Sequence, residues 1–483
     1  MRHVSFFSTE GLARASSRRP WLTIGVWVLV LLAAGALVAS LLQGALTTSQ
    51  NFVNEPESKR ADRLIEERLR GPVRSREIVI VRSDTLTVDD PAFRERVQRL
   101  HSDLSALGSD IVEAGPTYYQ APDSSLVSAD RRETIFALLM AGSMDDASKN
   151  IGQVHEVVDR AGGQGFQVLI TGDASIGKDF QEVAEKDLRN AEVFGVPVAL
   201  VILVFVFGAI AAALLPVILA AVSIAAAMGA AALLGQAFSL SFFVTNMITM
   251  MGLAVGIDYS LFVVSRYREE RARGLEKLDA IARAGATASR AVLFSGVTVV
   301  LALLGLLLVP TTIFRSLAAG AILVVIAAVL ASLTLLPAIL SIVGDRVNAW
   351  RLPFVQRAQA RYDEQGRGGL WDRATRLVMR YPVFSLVAAV GLLVAATIPF
   401  FSLSTGFSGV STLPDSFESK QGFLVLARDF SAGVVAPAEI VIDGQATSAP
   451  VQASIQRLRD ALAQDQSFGP AKLEVNPAGD LAV

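Results

Sequence analysis

Met250-Met251-Gly252-Leu253-Ala254-Val255-Gly256-Ile257-Asp258-Tyr259-Ser260-Leu261-Phe262-Val263-Val264 is an apolar run with one ionisable side chain in it, and Ser265-Arg266-Tyr267-Arg268-Glu269-Glu270-Arg271 follows at once. About 20 helical residues cross about 30 Å of hydrocarbon, and the basic cluster marks where this run leaves it. A charged side chain at membrane depth costs roughly 2.5–3.5 kcal/mol on insertion scales, so it faces a bundle interior or a water path. Asp258 is therefore the first candidate for a working residue. It sits about five to seven residues from the inner end of the run, roughly 8–10 Å by helical rise.

Outward from this run, six further stretches reach spanning length. The seven lie near Trp21–Leu42, Glu192–Ala209, Ala212–Leu234, Leu240–Val264, Ala291–Val309, Leu317–Val343 and Val383–Phe401. The 483-residue chain is 52% hydrophobic with a net charge of −2, which excludes a global basic field for nucleic acid. It has no cysteine, so disulfides and thiol chemistry are excluded, and its three histidines (His3, His101, His155) stand outside the apolar runs. The first stretch follows Arg18-Arg19 but is too long for a signal-peptide core, and it reads as an uncleaved helix.

Arginine placement sets the expected topology. Arg2, Arg14, Arg18 and Arg19 place the N-terminus in the cytoplasm. The loop after span four (Arg266 to Arg290) and the loop after span six (Arg346, Arg351, Arg357, Arg361, Arg367, Arg373, Arg376, Arg380) are cytoplasmic too. The expected organisation is a cytoplasmic N-terminus (1–20), a first span (21–42), an extracytoplasmic domain (43–190), a five-span bundle (191–344), a cytoplasmic linker (345–381), a seventh span (382–402) and the start of a second extracytoplasmic domain (403–483). The cell membrane is the expected location.

The first outer segment reads as strand Arg76–Arg82, helix Asp90–Leu107, a hairpin near Leu126–Ala141, helix Asp146–Ala161, strand Gln167–Thr171 and helix Ala174–Leu188. That order, β-α-β-β-α-β, is the ferredoxin-like arrangement. Asp-Asp before Pro91 and Asp145 before the second helix read as helix starts. An internal repeat extends the plan. Glu57-Ser58-Lys59 recurs as Glu418-Ser419-Lys420, Glu77-Ile78-Val79-Ile80 as Glu439-Ile440-Val441-Ile442, and Arg19-Pro20 as Tyr381-Pro382, all about 361 residues apart. Six spans between the copies return the chain to the same side, which makes the halves a parallel repeat. The second copy stops within its own outer domain, so the expectation is a truncated product or fragment.

Two readings of Asp258 stand side by side. Desolvation can raise a carboxyl's affinity for protons until it loads and releases them near neutral pH. Alternatively, a nearby arginine or helix-end water satisfies it, although Arg266 should snorkel away from it. On span five, Ser295 and Thr298 are hydroxyls of the kind that bond the carbonyl one turn back. The charged loop Ser265–Arg290 reads as an amphipathic helix on the inner membrane surface. Gly162-Gly163-Gln164-Gly165 follows a helix and precedes a strand, which is the context of a turn and not of a phosphate loop.

The run Gly256–Glu270 resembles the fourth-helix motif of the MMPL (mycobacterial membrane protein large) family in the resistance–nodulation–division transporter superfamily. The resemblance extends over essentially the whole chain, including the Thr171-Gly172-Asp173 turn and the repeat. It implies an α-helical membrane protein with α+β porter-like outer domains, driven by proton-motive force and moving lipids or other hydrophobic molecules. By the same resemblance Asp258 and Tyr259 form one half of a proton relay with Ser295 as a further member. The matching Asp-Tyr pair of the second half would fall beyond Val483.

The implied partners are the bilayer, protons, a hydrophobic or lipid substrate, and either further copies of the chain or a second polypeptide supplying the missing half. No nucleic acid, metal or other cofactor is expected. An accessory role in protein translocation and a sterol-sensing-type regulator without transport are the competing classes. An enzyme is not expected, since neither a nucleophile–base pair nor a metal-ligand constellation is present.

Overall fold

Backbone in hydrocarbon must satisfy its own N–H and C=O groups, so long apolar stretches become helices. In the computed structural model seven helices are long and apolar enough to cross a membrane. The structure describes residues 8–48, 52–350, 370–403, 409–430, 438–465 and 471–483. Much of the expected linker, with Arg351, Arg357, Arg361 and Arg367, lies outside the described residues, as do Arg2 and His3.

α1 (Thr9–Arg18) precedes α2 (Pro20–Leu37), which continues through a π-helical turn to Ala45. β1 (Leu46–Thr47) and α3 (Glu57–Ile65) then lead to an α/β domain. It consists of β2 (Arg76–Ser83), α4 (Pro91–Ser105), β3 (Val112–Ala114), β4 (Glu133–Met140), α5 (Met144–Ala161) and β5 (Phe166–Gly172). The four strands form one antiparallel sheet in the order β3-β4-β2-β5. The hairpin expected near Leu126–Ala141 is placed differently. β4 pairs with Val112–Ala114, and Val127 meets Thr134 only at an isolated bridge. β3 is three residues long and is closed by Gly115-Pro116, too short to show an alternating pattern. Asp145 does not cap α5 either. Ser143 and Asp146 form the capping box, while Asp145 accepts hydrogen bonds from Thr47 Oγ1 (2.8 Å) and Thr48 N (3.2 Å) and so ties the domain to the top of the first span.

The domain passes into the membrane bundle through α6 (Asp173–Phe207), a single 35-residue helix. The separate helix Ala174–Leu188 and span Glu192–Ala209 are thus one element, with Pro197 inside it. A proline removes one backbone donor, a loss that membrane helices tolerate. α7 (Ile210–Leu234), β6 (Leu240–Ser241) and α8 (Phe243–Ala272) follow, then α9 (Lys277–Ala286), α10 (Ala288–Leu306) and α11 (Thr312–Leu330). α11 runs through a π-helical turn (Ala331–Leu335) into α12 (Leu336–Val343). Of the spans, Thr312–Asn348 is the most enclosed, with 67% of its most apolar window buried against 44% for α7 and α8, and so forms the central post. β1 and β6 pair in parallel at the domain end of the bundle. At the opposite end α1 and α9 pack together as a collar. Ala280, Ile281, Ala282 and Ala284 of α9 are buried, so this helix packs on the bundle through its apolar face.

The last part of the chain holds α13 (Leu370–Arg380), α14 (Pro382–Thr397), α15 (Glu418–Asp429), β7 (Ile442–Asp443), α16 (Ala449–Ala463) and β8 (Leu481–Ala482). The repeat is visible in these bounds. α2 and α14 both open with proline after a basic helix, and α3 and α15 both open on Glu-Ser-Lys. The second copy of strand β2 is shorter than expected, since only Ile442–Asp443 pairs, with Ala482 and Leu481.

Side chains alternate across a strand, and β2 is buried on both sides. Val79 and Val81 join Phe93, Leu100, Ile151 and Val154 under α4 and α5. Ile78 and Ile80 meet Val425 and Leu426 of α15 on the other face. The first domain is therefore completed by a helix of the second copy. The exchange runs both ways, since Arg68 and Arg70, just after α3, pair with Asp443, Asp480, Glu439 and Glu474 of the second copy.

Candidate functional site

At 3.6 residues per turn, Met250, Ala254, Asp258 and Phe262 fall on one face of α8, and all four are exposed. Gly252, Gly256, Tyr259, Ser260 and Val263 turn inward. The sequence reading expected Asp258 to face a bundle interior or a water path. Among the described residues its side chain is exposed on the surface of the bundle, as an acid within an apolar stripe. Arg266 does not neutralise it, because its guanidinium is held by Glu269 and Glu270 further along the helix.

Tyr259 is 5% exposed and points the other way, into the crossing of α8 with α10. The crossing is close because Gly296 has no side chain. A β-carbon there would lie 2.4 Å from Val329 Cγ2 and 3.7 Å from the Tyr259 hydroxyl. Gly256 serves the same purpose toward α7, where a β-carbon would be 2.7 Å from Ala220 Cα. Ser295 neighbours Gly296 on α10 and is exposed, as Asp258 is on α8. The hydroxyls of Thr298 and Ser260 bond carbonyls of their own helices, Phe294 O at 2.9 Å and Gly256 O at 2.8 Å. The sequence reading missed Gly296 and Val329 as the seat of the tyrosine.

It also missed a buried polar group in the α/β domain. Glu77 is fully buried, and its carboxylate accepts hydrogen bonds from Ala174 N (2.7 Å) and Ser175 N (3.3 Å) at the start of α6. Burial pushes its pKa up to about 7. Gly172 lets the strands close over it, since a β-carbon there would be 2.3 Å from the Arg76 carbonyl oxygen. His155 Nε2 lies 3.0 Å from Ser175 Oγ, and burial drives its pKa down to about 4. A charged residue within an otherwise buried β-branched strand, repeated at Glu439, was the available signal. No group of three or more His, Cys, Asp or Glu able to hold a metal occurs among the described residues.

Seven helices long and apolar enough to cross a membrane, joined to a two-sided α/β domain, make this a polytopic membrane protein. The MMPL family model matches residues 52–385, and the chain belongs to the MMPL family. It is 33% identical over 436 residues to the Streptomyces coelicolor membrane protein SCO6666, covering 89% of this chain and 59% of that protein. It is 29% identical to the trehalose monomycolate exporter MmpL3 of Mycobacterium tuberculosis over 435 residues, 84% of this chain and 45% of the exporter. It is 33% identical to the heme uptake protein MmpL11 of Mycobacterium tuberculosis over 330 residues, 67% of this chain and 34% of that protein. The chain thus spans between about a third and three-fifths of the curated relatives it matches.

Proposed function

We propose that this chain is the proton-coupled part of an MMPL-type transporter that exports lipids or other hydrophobic molecules across the cell membrane. The observation that carries the reading is Asp258, an ionisable side chain exposed in the apolar stripe of α8 beside the buried Tyr259. A charge facing lipid there is costly, so the stripe suits contact with further protein, where the carboxyl is shielded and can change its protonation. Asp258 takes and gives the proton, Tyr259 passes it into the bundle, and Ser295 supports the pair from α10. Proton entry at 100 mV supplies roughly 2.3 kcal/mol per charge for moving the helices.

In this reading the N-terminus is cytoplasmic and the α/β domain is an extracytoplasmic, ferredoxin-like porter unit. The continuous α6 carries helix movement from the bundle to the sheet. The name of the trehalose monomycolate exporter favours a lipid cargo, whereas that of the heme uptake protein names heme as a cargo taken up. Asp258→Asn in the full-length protein tests the reading. Proton-driven export should stop while expression and folding persist, and export at the unaltered rate would remove Asp258 from the mechanism.

A further inference from the structure

Glu418, Gly422, Val425 and Asp429 follow one another at helical spacing along α15, so the face that seats on the first sheet begins and ends with a carboxyl. Gly422 brings the helix close, since a β-carbon there would lie 3.2 Å from Thr171 Cβ and 3.3 Å from Ile80 Cδ1. The middle of this interface is apolar, but its ends are not balanced. Among the described residues Glu133 Oε2, Thr171 Oγ1 and Glu418 Oε1 are buried without a hydrogen-bond partner. At the start of α15 the Ile170 N–H donates to the Glu418 carboxylate, while Asp159 of α5 and Asp179 of α6 set two negative charges near it. Asp179 accepts a hydrogen bond from Ser419 Oγ and has Lys178 and Glu182 close by. At the other end Glu133 of β4 is 4% exposed and shares the sheet face of Ile135, which α15 covers. The charges around Glu133 are Arg82 of β2 at 3.4 Å, Asp130 in the turn before β4, and the paired Arg428 and Asp429 of α15.

We propose that α15 is an acid-closed latch, which holds the second copy on the first sheet while Glu133 and Glu418 are protonated and loosens when they ionise. A charge buried without enough donors is costly, and protonation removes it. With α15 seated, burial pushes both carboxyls up to about 7. With α15 lifted they meet water and return toward their ordinary 4.5. Seating therefore takes up protons. Its share from these two groups is complete below about pH 4.5 and is lost as pH rises through about 7. Because Leu426 and Val425 fill the apolar middle of the same face, release of the two ends uncovers Ile78 and Ile80 as well. The latch does not depend on Asp258. It rests on the proposed orientation only for the side of the membrane whose acidity it reads, which is the outer medium that supplies the protons.

The chain has no cysteine, so one introduced thiol reports the seating of α15 in the full-length protein in nanodiscs. Val425→Cys places it on the covered face, where the position is 7% exposed, and Leu424→Cys, at a position 52% exposed, gives the reference rate at each pH. Relative to that reference, labelling at position 425 should rise about 100-fold from about pH 6 to about pH 8, about tenfold for each carboxyl. Glu133→Gln and Glu418→Gln should each leave about a tenfold rise, and the two together a change within about twofold. A flat ratio in the protein that keeps both glutamates overturns the latch, as does a full rise in the double glutamine variant. Should that double variant fail to fold, Asp429→Asn decides, because it removes a negative charge near Glu133 from a partly exposed position. A smaller rise in Asp429→Asn supports the latch, and an undiminished one overturns it. Asp258→Asn should leave the rise intact. A rise that vanishes there traces the pH dependence to the bundle, which overturns the latch and leaves the proton site standing.

Discussion

Tyr259 is held in place by what Gly296 lacks. Its seat leaves no room for a methyl group, since a β-carbon on Gly296 would overlap Val329 Cγ2 at 2.4 Å. Gly296→Ala should therefore destabilise the bundle by about 1–3 kcal/mol, read as a lower melting temperature in detergent, and adding Val329→Ala should recover part of the loss. Glu77 gives a pH-dependent prediction. An acid whose folded pKa stands at about 7, above its ordinary 4.5, holds an extra proton in the folded state. Its stabilising share is complete below about pH 4.5 and is lost as pH rises through about 7, by up to about 1.4 kcal/mol per unit. Glu133 and Glu418, also pushed up to about 7 by burial, act with the same sign. Stability should fall across this window in denaturant titrations, and Glu77→Gln should flatten the slope while its amide oxygen still accepts from Ala174 N. Asp258 was legible in the sequence because one acid in an apolar run contradicts its surroundings. Gly296 was not, because which helices cross, and where, is a tertiary fact that one sequence does not encode locally.

Between elements, the seating of α15 on the first sheet is the contact with most at stake. Leu426 is fully buried against Ile78, Ile80 and Leu169, strands that precede it by more than 200 residues. Leu426→Ala should cost about 2–4 kcal/mol, measured as reduced stability of the first domain's amides to hydrogen exchange. An unaltered exchange rate there would mean that α15 is not part of this core. The seven spans were legible because hydrocarbon thickness fixes their length. β2 and β5 stand on β-branched runs that periodicity finds, whereas three-residue β3 is shorter than any pattern. The sequence reading ended one helix at Leu188 and opened a span at Glu192, where charged residues give way to apolar ones, but a change of surroundings does not break a helix and α6 runs through it.

For the whole molecule, the repeat of about 361 residues acquires a physical meaning in the exchange of helices between the two copies. Movement of one copy must drag the other's core. The chain has no cysteine, so single cysteines report topology cleanly. Asp103→Cys should react with a membrane-impermeant thiol reagent from outside the cell and Arg283→Cys only after the membrane is opened, and the reverse pattern would invert the proposed orientation. Beneath all of this lies the claim that one carboxyl at membrane depth binds and releases a proton during the cycle. Infrared difference spectroscopy of the full-length protein between acid and neutral pH tests it most directly. The account predicts a protonated-carboxyl carbonyl band that appears on acidification and vanishes in Asp258→Asn. A spectrum unchanged by that substitution would contradict it.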